Sequence, residues 1–122
     1  MHDVEPLTEA VDKLADRFRS LPQSKLLGAV PGHASRAAAG LALARRLAVL
    51  AMALEEGPWA EFPDAGAFAV GDQLAVAGHD LAVAIAALPA GALVDLEDTS
   101  LTPSGLADYA VAAVRETAAL CG

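Results

Sequence analysis

Four interruptions that no helix runs through divide this chain: Leu21-Pro22, Gly57-Pro58, Pro89-Ala90-Gly91 and Thr102-Pro103. The residue before a proline is pushed out of the helical region, and a glycine just past a helix end closes it. A proline is welcome only in the first helical turn. The stretches between these interruptions are rich in alanine and leucine, the two best apolar helix formers, and poor in the aromatic and β-branched residues that favour strands. The expected fold is therefore all-α, a compact bundle of four main helices at about 5–21, 35–56, 65–88 and 102–120. At 122 residues and 55% apolar content, the chain reads as a single helical-bundle domain over 1–122, with enough apolar material for a core.

The first stretch, EPLTEAVDKLADRFRSL, places Leu7, Val11, Leu14, Phe18 and Leu21 at spacings of 4, 3, 4 and 3. That is the narrow seam of a helix packed on a partner helix. Residues 22–34 hold two prolines and two glycines and read as a loop with one short turn at 24–27. The second helix is apolar nearly all round. Leu43, Leu47, Leu50 and Leu54 form one stripe, and Leu41, Ala48, Val49 and Met52 lie on another side. One bundle interior does not need that much apolar surface, so the face of Leu41, Ala48, Val49 and Met52 is expected to contact a second copy of the chain or a partner protein. In the connector GPWAEFPDAG, Trp59 and Phe62 are expected to fold back onto the helices, and Asp64 to cap the third. Segment 89–101 is acidic and irregular, with ALVDL as a short strand. Thr102 then caps the last helix, whose inner face is expected to carry Leu106, Tyr109, Ala110, Ala113, Thr117 and Leu120.

Residues 71–80, GDQLAVAGHD, put two glycines and several polar groups inside an apolar helix. Each glycine costs about 1 kcal/mol against alanine at such a position. At about 100° per residue, Gly71, Ala75, Gly78, Ala82 and Ala86 form a line beside Leu74, Leu81, Ile85 and Leu88. Close approach of a second helix along that line would offset the cost. Asp72, Gln73, His79 and Asp80 occupy the remaining side. Neither Asp72 nor Asp80 can orient His79 within the helix, so any partner must come from another element; Arg45, Arg46, Asp95 and Asp108 are the candidates.

The net charge of −8 weighs against nucleic acid and anionic membranes as partners. Its distribution is uneven: residues 17–54 carry six bases and no acid, whereas from Glu55 onward eleven acids face the single base Arg115. The two halves are expected to meet within the fold or across a dimer. Cys121 is the only cysteine, which excludes an intrachain disulfide, and it reads as a thiol at a frayed end. His2, His33 and His79 lack metal-ligand spacing, and no cofactor is expected. The acids of EEGPWAEFPD read as a solvated connector. GHASR offers an anion pocket at a helix start, with His33, Ser35 and Arg36 around it. No G-x-S-x-G, Walker A or dinucleotide fingerprint is present. The N-terminus lacks a signal-peptide core, and the longest uncharged apolar run, Leu81 to Val94, is too short to span a bilayer, so a cytoplasmic protein is expected.

The leading function is a non-enzymatic interaction protein, a regulatory or scaffold subunit. The first alternative is a small-ligand or anion-binding bundle, with or without catalysis, in which His79, Asp72, Arg45 and Arg46 line a pocket. The second is a nucleic-acid-linked regulator using the basic 17–46 stretch, against which the net acidity weighs.

Overall fold

The structure is a computed structural model that describes residues 2–55, 63–96 and 98–122. It is an all-α fold. Helix α1 spans Glu5–Ser20, with Pro6 in its first turn, and buries Leu7, Val11, Leu14, Ala15 and Phe18. Leu21 is extended, as the residue before a proline must be. A single turn, α2, covers Gln23–Leu26, and the long α3 runs from Arg36 to Glu55. A 3-10 turn at Ala67–Ala69 leads into α4, Val70–Ala86. Strands β1 (Val94–Leu96) and β2 (Thr99–Leu101) form an antiparallel hairpin with Val94 opposite Leu101. Helix α5, Pro103–Leu120, starts where Thr102 Oγ1 accepts the Gly105 N–H at 3.0 Å, the cap its sequence predicts.

Helix α4 packs along both α3 and α1, while α5 lies on α1 and, over a shorter stretch, on α3. One apolar cluster runs through α1 to α5, with Leu47, Leu74, Leu81, Ile85 and Leu106 wholly buried. The glycines of α4 are accounted for by α1. A Cβ on Gly78 would lie 2.4 Å from Val11 Cγ1, and one on Gly71 would lie 2.9 Å from the Ala15 carbonyl oxygen. A third close approach lies at Gly40 of α3, another helix-interior glycine. A Cβ there would fall 2.6 Å from Val70 Cγ1 and 2.7 Å from Phe18 Cζ. Small residues thus set how near α1, α3 and α4 come to one another.

Several local expectations are corrected. Tyr109 is not on the inner face of α5 but 37% exposed, because that helix turns Leu106, Ala107, Ala110, Val111 and Val114 inward. Cys121 is not a frayed-end thiol: it is 3% exposed and part of the core cluster. Asp64 does not cap the helix itself; it accepts the Gly66 N–H at 3.0 Å, in the turn before the helix begins. Leu88 lies beyond the end of α4. Trp59 and Phe62 lie outside the described residues. The stretches Arg36–Glu55 and Ala67–Ala86 are long and apolar enough to cross a membrane by length and composition, but half of each is buried inside the fold. Central helices of a bundle meet the same test.

Candidate functional site

Because the two glycines bring α4 against α1, the polar residues flanking the small-residue line meet the polar edge of α1. His79 Nε2 lies 2.7 Å from Asp12 Oδ1. Seven residues earlier, Asp72 Oδ1 accepts from Arg19 Nε at 2.9 Å, and Arg19 also reaches Asp16 at 2.9 Å. The Arg19 guanidinium is held above its ordinary pKa chiefly by the hydrogen bond to Asp72, against some desolvation and with help from Asp16. The orienting partner of His79 is thus Asp12, on another element but none of the candidates that the sequence offered. All these groups are exposed, and they read as the rim of a helix–helix seam.

Arg45 and Arg46 belong to a different place, so the expected ligand set of His79, Asp72, Arg45 and Arg46 is split. Both arginines border a groove of about 610 Å³ between α3, the hairpin and α5. Ala42, Val49 and Leu50 of α3 form one wall, and Leu96 and Leu101 of the hairpin form the other. Tyr109 of α5 closes one side. The Arg46 guanidinium lies over the Tyr109 ring, 4.9 Å from its centroid, and donates to the phenol oxygen. Asp98 stands on the hairpin rim.

The proposed contact face of α3 changes membership. Leu41 and Ala48 are buried within the chain at 8% exposure each, Met52 is half-buried, and Val49 is open at 42%. The expected anion pocket is also redistributed. Ser35 Oγ caps α3 by accepting the Ala38 N–H at 3.0 Å, and His33 pairs through its backbone with Val30. Arg36 turns away to donate to the carbonyls of Cys121 and Lys25, at 3.0 and 3.1 Å. Ser35 does line a recess of about 450 Å³ with Leu41 and Arg45, but neither His33 nor Arg36 borders it.

The uneven charge resolves partly inside the fold. Arg19 crosses to Asp72, while Arg17 and Arg36 both donate to the Cys121 carbonyl at the end of α5, where cations are favoured by the helix dipole. Burial raises the Cys121 thiol above its ordinary range, with Arg36 and Arg17 working against that. Among the described residues, no three His, Cys, Asp or Glu side chains gather closely enough to hold a metal ion. Comparison with protein-family profiles, curated proteins and solved structures finds no match to this chain.

Proposed function

We propose that this chain is a cytoplasmic, non-enzymatic interaction protein that pairs with a second copy of itself through the groove between α3, the hairpin and α5. The observation that carries this reading is the apolar wall pair, Ala42–Val49–Leu50 against Leu96–Leu101, in which Ala42 and Val49 are exposed and the three leucines are only half-buried against the core. Tyrosine and arginine are enriched at interfaces, and here they stand together as the Arg46–Tyr109 pair. The rim carries both signs, Arg46 on α3 and Asp98 on the hairpin. A two-fold contact places such a patch on itself, so that Arg46 of one copy meets Asp98 of the other and the reverse. Each apolar side chain fully buried contributes roughly 1.5–3 kcal/mol before the cost of association is met.

The test is sedimentation or light scattering over micromolar concentrations, with two glutamate substitutions compared. Val49→Glu places a charge in the groove, whereas Val83→Glu places one on α4 at a valine 68% exposed elsewhere. The wild type and Val83→Glu should dimerise and Val49→Glu should not. A monomeric wild type, or equal behaviour of the two variants, removes the proposal.

A further inference from the structure

The α1/α5 side of the bundle holds a second groove, of about 650 Å³, that the proposed self-contact does not use. Its floor is apolar: Ala10 and Leu14 from α1, Val114 and Ala118 from α5. Its edges carry Lys13, Arg17 and Arg115, three of the eight bases in a chain whose net charge is −8. Glu9 is the one acidic side chain of the lining, and it stands toward the Pro6 end. Passing along α1, one face therefore changes sign from Glu9 to Lys13 to Arg17, each a turn apart. From Pro6 to Arg17 the groove follows α1 for about 16 Å.

Cations gathered beside one apolar groove of an acidic protein are the feature to be explained. Arg17 is held in place by the carbonyls of Ala118 and Cys121, at 3.5 and 3.3 Å. Lys13 and Arg115 make no side-chain hydrogen bond or ion pair among the described residues. Both are exposed, and Lys13 does not take Glu9, the acid one turn back on its own helix. A mostly apolar concavity with a few convergent charged groups is the usual form of a small-molecule site, and this volume falls within the usual range of about 300–1,000 Å³. Unpaired guanidinium and ammonium groups at its edge select a carboxylate or phosphate, to which arginine binds in fork geometry.

We infer that the groove between α1 and α5 binds an amphipathic organic anion, with a single aliphatic tail along Ala10, Leu14, Val114 and Ala118 and a negative head between Lys13 and Arg115. Neither half of such a ligand suffices alone, because the floor offers no polar partner and the cations face water.

Calorimetric titration of the full chain with decanoate, decanol and acetate tests this, with decanoate kept below micelle formation. Decanoate should bind saturably at one per chain, decanol at least tenfold more weakly, and acetate not measurably. The double substitution Lys13→Gln with Arg115→Gln should weaken decanoate binding tenfold or more. Ala118→Leu, which fills the floor, should abolish it. Val49→Glu should leave it unchanged, which separates this site from the self-association proposed above. No saturable decanoate binding, decanol binding as well as decanoate, or a double variant within twofold of wild type would overturn the inference.

Discussion

The seam between α1 and α4 and the groove between α3, the hairpin and α5 are built from similar residues, yet one is shut and the other open. At the seam, Gly71 and Gly78 remove the side chains that would hold the helices apart, and Val11 and the Ala15 carbonyl occupy the space. At the groove, Val49, Leu50, Leu96 and Leu101 keep their side chains and the hairpin stands off α3. Apolar content alone does not decide which surface of a bundle is closed. The size of the residues along the contact line does, since dispersion falls steeply with a small gap.

The strongest way to break this contrast is to thicken both sides equally. Gly78→Leu, forced against the fully buried Val11, should lose about 2–3 kcal/mol in urea melts despite better helix propensity. Ala42→Leu on the exposed groove wall should stay within about 0.5 kcal/mol of wild type. Adding Val11→Ala to Gly78→Leu should restore part of the loss; a double variant less stable than Gly78→Leu alone would show that the seam is not limited by this contact.

The groove side depends on where α5 begins. Thr102→Ala removes the cap on the Gly105 N–H and should cost about 1 kcal/mol in the same melts. Ion pairs at the seam rim matter less. A double-mutant cycle on Arg19 and Asp72 should show a small favourable coupling at low salt that vanishes at high ionic strength, since both side chains are well exposed. The smallest effect concerns Cys121. Its folded-state pKa is raised by burial, so its contribution to stability is whole below the unfolded thiol value of roughly 8.5 and is lost as pH rises through the folded one. Wild type should therefore lose slightly more stability than Cys121→Ala between neutral and alkaline pH, and its thiol should react with disulfide reagents at neutral pH only as fast as the chain opens.

The helices were legible because proline and glycine punctuation marks their ends and because leucine spacing in α1 admits one seam. The line of small residues on α4 was legible for a related reason: glycine in a helix interior carries a cost that calls for an offset. What sequence could not supply is pairing across distance. His79 meets Asp12, separated by 67 residues, and nothing local marks Asp12 among the acids of α1. Tyr109 was misplaced because alanine weights every face of α5 alike, leaving the orientation to be set by docking on α1 and α3. Cys121 is buried by the same docking, with Arg17 and Arg36 drawing its carbonyl inward. The Lys13–Arg17–Arg115 groove needed the same tertiary step, since Arg115 lies in the acid-rich half.

Glycine has no smaller substitute, so every mutation at Gly40, Gly71 or Gly78 adds atoms where neighbours already stand. Drift at these places is one-directional, and the slack has to be made on the opposite helix. Across descendants of this sequence, larger residues at 78 should travel with smaller ones at 11, and larger residues at 40 with smaller ones at 18 or 70. Such paired exchanges would be a record, kept in the alignment, of how far apart these rods are permitted to stand.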